Sequence, residues 1–138
     1  MTHTQTVQNV YAAFGRGDVP AIVGLTADDV IWDNSGVSNN CPWNGNFSGK
    51  ANVPGFFKAV GDHLDFSAGV FNPHTFVESA NTVTVVLRLE SRLKKNGHLL
   101  KNDAVHVWTF NDQGLIKRYQ HFNDTAAEVT AWGAVAEP

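Results

Sequence analysis

The chain has 138 residues, 43% of them hydrophobic and 17% charged, with a formal net charge of −3. That length suits one domain, residues 1–138, able to bury a core of its own. The weakly acidic balance without a basic run excludes the electrostatic footprint of a nucleic-acid binder. No apolar run is long enough for a membrane span, and MTHTQTVQNV lacks a charged start followed by an apolar stretch. A cytoplasmic protein with neither nucleic acid nor membrane as partner is therefore the expectation. Cys41 is the only cysteine, which excludes an intramolecular disulfide framework and any multi-cysteine metal site.

In chain order, Val7, Val10, Tyr11 and Phe14 recur at the spacing of one helical face, and Gly15 and Gly17 end that helix. Asp18 caps a second, short helix with Pro20 in its first turn. Val30, Ile31 and Trp32 predict a strand that delivers Asp33 at its end, before the loop formers Asn34, Ser35 and Gly36. The irregular stretch 34–46 carries Cys41, Pro42, Trp43, Asn44 and Gly45, and reads as a lid over something apolar. A third helix starts at Ser48 or Gly49, buries Val53, Phe56, Phe57 and Val60, and stops at Gly61. Five strands follow: 64–71, 74–79, 82–93, 98–110 and 115–123, with Pro73 interrupting the first pair. Short turn signals between them predict antiparallel neighbours, and a helix over 125–132 closes the chain. Helices first and a meander afterwards make an α+β layer.

Alternation along the strands sorts side chains by face. His106 shares a face with Trp108 and Phe110, and His121 with Tyr119 and Asn123. Val83, Val85, Leu87 and Leu89 form one face of their strand, leaving Arg88 and Glu90 together on the other.

The segments VYAAFGRGDVPAIVGLTADDVIWD, GNFSGKANVPGFFKAV and AVHVWTFNDQGLIKRYQHFNDTAA, in that order and spacing, resemble the SnoaL-like branch of the NTF2-like superfamily. The resemblance implies a curved antiparallel sheet wrapped on helices into a cone, a cystatin-like roll, with an apolar pocket. It also implies cofactor-independent chemistry of the kind found in ketosteroid isomerase, limonene epoxide hydrolase, scytalone dehydratase and the polyketide cyclases. Similarity to ketosteroid isomerase puts Asp33 at the general base and His106 at the acid that donates to the oxyanion. The oxyanion tyrosine of that enzyme corresponds to Val10, and Tyr11, about 100° around the helix, faces elsewhere. Similarity to limonene epoxide hydrolase instead matches Arg88 and Glu90 to its arginine and acid, and His121 to its second aspartate. Polyketide cyclases likewise put their acidic catalyst at His121.

The chemistry is coherent without the families. A carboxylate at Asp33 against Trp32 would be pushed up by desolvation toward the range useful for proton abstraction. An imidazole at His106 can donate to an oxygen that gains charge, and His121 can activate water. The expected ligand contacts are Tyr11, Trp32, Trp43, Phe56, Phe57, Arg88, Glu90, Trp108, Tyr119 and Asn123. Each catalytic reading has a structural counterpart: Asp33 as a turn cap, His106 and His121 as satisfied core histidines, Arg88 and Glu90 as a solvated cross-strand pair. His63, His74, His98, His106 and His121 show no paired ligand spacing, and phosphate and dinucleotide motifs are missing, so neither metal nor cofactor is expected. Two classes stay open: an isomerase, cyclase or dehydratase acting on a small apolar carbonyl compound, and a non-catalytic pocket or dimerisation module. Either implies a homodimer through an outer sheet face of Val83, Val85, Leu87, Leu89, Val105 and Val107.

Overall fold

Thr2 opens the first helix with a capping box: its hydroxyl accepts from the Gln5 amide at 3.1 Å, while the Gln5 side chain accepts from the Thr2 amide at 2.8 Å. The structure is a computed structural model, described here for residues 1–35 and 40–135. This helix, α1 (His3–Gly15), begins earlier than its apolar periodicity, because the cap rather than the first valine fixes its start. It buries Val7, Val10 and Ala13. Asp18 caps α2 (Val19–Val23), accepting from the Ala21 amide. After β1 (Thr26–Asn34) come the two-residue β2 (Gly45–Asn46), a 3₁₀ turn over Lys50–Asn52, and α3 (Val53–His63). Gly61 does not stop α3, which runs to His63 before Leu64 turns extended.

The sheet strands β3 (Leu64–Ser79), β4 (Thr82–Leu93), β5 (Leu99–Phe110) and β6 (Ile116–Asn123) pair antiparallel in sequence, and α4 (Thr125–Gly133) follows. The sheet order is β2-β1-β6-β5-β4-β3, with β1 parallel to β6. Pro73 does not divide β3; it sits beside a register shift between Pro73 and Thr75, where the ladder absorbs the missing donor. A second shift lies between Asp65 and Val70, where Gly69 packs so closely on the Glu90 carbonyl that a Cβ would collide with it. The result is an α+β layer on a curved, unclosed six-stranded sheet.

Register corrects the expected outer face. Val83 pairs with Trp108, Val85 with His106 and Leu87 with Ala104, so these apolar β4 residues share the inner face with His106 and Trp108 and are fully buried. Leu89 opposes Asn102 on that same side. Val105 and Val107 lie on the other face, opposite Val86 and Thr84. Alternation fixes which residues of one strand go together, but directly opposed residues share a face, and the β4–β5 pairing places the two sets back to back.

Candidate active site

Between the inner sheet face and the helices lies a cavity of about 100 Å³, room for several waters at roughly 10–15 Å³ each. Its greasy wall comes from Phe14, Phe56, Phe57, Phe66 and Phe71. Its polar wall is built by strand register: Trp32 opposes Tyr119 and Asn34 opposes His121 across β1 and β6, while His106 opposes His121 and Trp108 opposes Tyr119 across β5 and β6. Six inward side chains are thereby stacked in two rows.

All of them except Trp32 belong to one continuous hydrogen-bonded network. Trp108 Nε1 donates to the Tyr11 hydroxyl at 3.1 Å, and that hydroxyl lies 2.8 Å from His106 Nδ1. His106 Nε2 is 2.9 Å from His121 Nδ1. The Tyr119 hydroxyl sits between the two rings, 3.4 Å from the first and 3.3 Å from the second, and donates to Asn34 Oδ1 at 2.7 Å. Asn34 Nδ2 donates to Asn44 Oδ1 at 2.9 Å, Asn44 Nδ2 to Glu128 Oε1 at 2.9 Å, and Trp43 Nε1 to Glu128 Oε2 at 2.6 Å. Glu128 is 2% exposed and lines the same cavity.

Burial holds the network neutral around the histidines. Desolvation, with His121 adding to it, keeps His106 well below the ordinary imidazole range, and desolvation alone lowers His121 to about 4. The same burial raises both the Tyr11 and Tyr119 phenols. At neutral pH the cavity therefore presents uncharged imidazoles and phenols beside one buried carboxyl. Trp32 Nε1 is buried without a partner, alone in this among the described residues.

Residues 7–119 match the SnoaL-like domain family. The chain belongs to that family. Among solved structures, this SnoaL-like chain is similar to an NTF2-like protein of unknown function from Burkholderia pseudomallei K96243, at 27% identity and a TM-score of 0.85 over 97% of this chain and 100% of the other. It is similar to TerC, co-crystallised with polyporic acid, at 25% identity and a TM-score of 0.80 over 96% and 98% of the two chains. A protein of Pseudomonas putida KT2440, provisionally named a polyketide cyclase, shares the fold at 20% identity and a TM-score of 0.77 over 95% and 98%. No curated protein matches the chain in sequence.

Of the residues expected to meet in the SnoaL-like cavity, His106 and His121 do so and Asp33 does not. β1 continues through Asn34, so alternation turns Trp32 and Asn34 inward and leaves Asp33 half-buried on the opposite face, outside the cavity wall. The desolvation argued for Asp33 as base therefore has no pocket to act in. Arg88 and Glu90 are also off the cavity: they lie on the convex face, Arg88 3.3 Å from both Glu90 and Asp103, partly exposed. That removes the arginine and acid of the epoxide-hydrolase alignment from His121. Tyr11, expected to face elsewhere, points inward and bonds His106. Trp32, Trp43, Phe56, Phe57, Trp108, Tyr119 and Asn123 all line the cavity as expected.

Trp43 is buried and tied to α4 through Glu128, whereas the lid expected over 34–46 falls partly on 36–39, outside the described residues. Burial, with Glu128 adding to it, pushes the Cys41 thiol up to about 11, against a nucleophilic role. Among the described residues no group of three or more His, Cys, Asp or Glu is placed to hold a metal, and no helix is long and apolar enough to cross a membrane.

Asn34 and Glu128 were missed. Asn34 looked like a loop residue because it begins Asn-Ser-Gly. Glu128 had a legible signal: it is the one charge in TAAEVTAWG, four residues before Trp132, so both fall on the face that packs inward.

Proposed function

We propose that this protein is a cofactor-independent enzyme that moves a proton on a small, largely apolar, carbonyl-containing compound, of the isomerase, cyclase or dehydratase type. The observation that carries the reading is His121: a neutral imidazole, bonded to His106 behind it, in the wall of an aromatic cavity whose wall also holds the Glu128 carboxyl. In the step proposed, a C–H bond next to the carbonyl breaks and its proton passes to Glu128. The electron pair moves onto the carbonyl oxygen, and the resulting enolate is held by a hydrogen bond from His121. Where a C=C bond is conjugated with that enolate, return of the proton from Glu128 to the far carbon of the conjugated system shifts the double bond, gives an isomer and frees the Glu128 carboxylate. A water-excluded wall strengthens such a bond while charge develops. Membership of the SnoaL-like family and the polyporic acid complex of TerC support a site for an organic ligand of this kind.

The test is exchange of carbonyl-adjacent hydrogen for deuterium in D₂O across a panel of aryl and cyclic ketones, followed by NMR. Exchange that falls about 10²–10⁴-fold in His121→Phe fits a group acting in the transition state. Compounds that bind at the cavity and never exchange would favour a non-catalytic binding module instead. A homodimer through the convex face belongs to the same reading, with Val86, Val105 and Phe122 aligned in one cross-strand row and Phe122 50% exposed. Light scattering on wild type and Phe122→Asp tests it, a monomer in both being the contrary result.

A further inference from the structure

We infer that Trp108 and Tyr11 act as a tautomer lock on the histidine pair, presenting Nε2 of His121 to the cavity as a hydrogen-bond donor, so that the substrate group received there is an acceptor oxygen. Both ends of the network have fixed polarity. An indole nitrogen only donates and a carboxylate only accepts, so Trp108 at one end and Glu128 at the other leave a single direction for the bonds between them.

At the first end, Trp108 Nε1 occupies the Tyr11 oxygen at 3.1 Å and turns the Tyr11 hydrogen away from the indole. The only acceptor for that hydrogen among the described residues is His106 Nδ1, at 2.8 Å. Were Nδ1 to carry a hydrogen instead, the Tyr11 hydroxyl would accept twice and its own hydrogen would have no acceptor, a loss that polar groups away from water rarely tolerate. Nδ1 of His106 therefore accepts, and the neutral ring carries its hydrogen on Nε2. That hydrogen points at His121 Nδ1, 2.9 Å away, with the Tyr119 oxygen at 3.4 Å as a weak second acceptor. His121 in turn carries its hydrogen on Nε2, which has no partner among the described residues and is not sealed from the cavity.

The Trp32 side chain belongs to the same wall, but its Nε1 is itself sealed from the open space. The donor turned to the cavity is therefore Nε2 of His121, which asks for a ligand with lone pairs, such as a carbonyl, enolate or phenolate oxygen.

Trp108 and Tyr11 are thus positioning residues, acting on substrate only through His106 and His121. The assignment of the acceptor to a substrate oxygen rests on the function proposed above; the lock itself is a property of the unliganded protein. It is tested on the ¹⁵N-histidine-labelled protein at pH 7, without ligand, by two-bond proton–nitrogen correlation NMR, which reports the tautomer of each ring. Wild type is expected to show Nε2–H on both His106 and His121, with His106 Nδ1 displaced as a nitrogen that accepts a hydrogen bond. Tyr11→Phe should abolish that displacement. Trp108→Phe, which frees the Tyr11 oxygen, should raise the Nδ1–H form of the pair at least several-fold. Trp108 is fully buried, where truncation can cost the fold, so the near-isosteric Tyr11→Phe decides alone if need be. A hydrogen on Nδ1 of His121 in wild type, or histidine spectra unmoved by Tyr11→Phe, overturns the lock. Deuterium exchange that persists with such spectra would leave the enzyme reading intact and make His121 its base; the expected spectra without exchange in any ketone would sink only the enzyme reading.

Discussion

Mild acid should destabilise this protein through two side chains, His106 and His121. Both are buried and lowered by desolvation, His121 to about 4, whereas an unfolded histidine titrates near the ordinary value of 6.5. Between those values the unfolded chain binds protons that the folded chain refuses, so stability is full above pH 6.5 and falls as pH drops toward 4. Each histidine contributes up to about 1.4 kcal/mol per pH unit in that window, which integrates to about 2 kcal/mol apiece between pH 7 and pH 5. The pair together removes about 4 kcal/mol, a large part of the 5–15 kcal/mol typical of a domain. Asp62, Asp65 and Glu78 are held low by hydrogen bonds from Lys58, Ser67 and Thr4, and with ordinary values of 3.8 and 4.5 the stability they contribute is lost mainly below the pH 7 to 5 range assayed. Urea unfolding followed by tryptophan fluorescence at pH 7, 6 and 5 is the assay. With a slope near 2 kcal/mol per molar, the midpoint should fall by about 2 M from pH 7 to pH 5. His121→Gln keeps a polar group in place without a titrating one and should roughly halve that fall. Coincident midpoints at pH 7 and 5, or a variant that keeps the full wild-type pH dependence, would refute the claim that burial holds these imidazoles neutral.

Asp33→Asn should leave deuterium exchange in ketones unchanged, because its carboxylate lies outside the cavity; a collapse of exchange would restore it as the base. Glu128→Ala strands Trp43 Nε1 and Asn44 Nδ2, and thermal melting should show a loss of about 1–3 kcal/mol for each donor left without its acceptor. Gly69→Ala drives a methyl into the Glu90 carbonyl at the β3 irregularity and should cost about 1–3 kcal/mol by the same melts. Arg88→Ala removes a partly exposed ion pair and should change stability by less than about 1 kcal/mol, with ketone exchange intact.

The element types were legible because each is specified locally: Val7, Val10 and Phe14 mark a helical face whatever they pack on, and the apolar alternation of 83, 85, 87 and 89 marks a strand. What alternation cannot reveal is which face of a strand is inside, and at β1 that choice turns on one residue. Asn34 is an unlikely inward side chain by composition. It is accommodated because Tyr119, 85 positions away, donates to its oxygen and Asn44 accepts from its amide. Only the assembled sheet supplies those partners, and without them burying the amide would cost about 1–3 kcal/mol, comparable to what burying one apolar side chain of the strand gains. Once Asn34 is inside, Asp33 must be outside, and the carboxyl in the cavity wall comes from α4 rather than from the end of the first strand. The same dependence explains Glu128. A carboxyl in an apolar helix is legible as unusual, but its use depends on Trp43 and Asn44 arriving from 85 and 84 residues earlier with their hydrogens pointed at it. The histidine pair was accessible in advance because its two members sit on adjacent antiparallel strands joined by a short turn, where register follows from local spacing. In this fold the strand-borne imidazoles are therefore readable from sequence, and the carboxyl that completes the cavity is set by contacts between residues far apart in the chain.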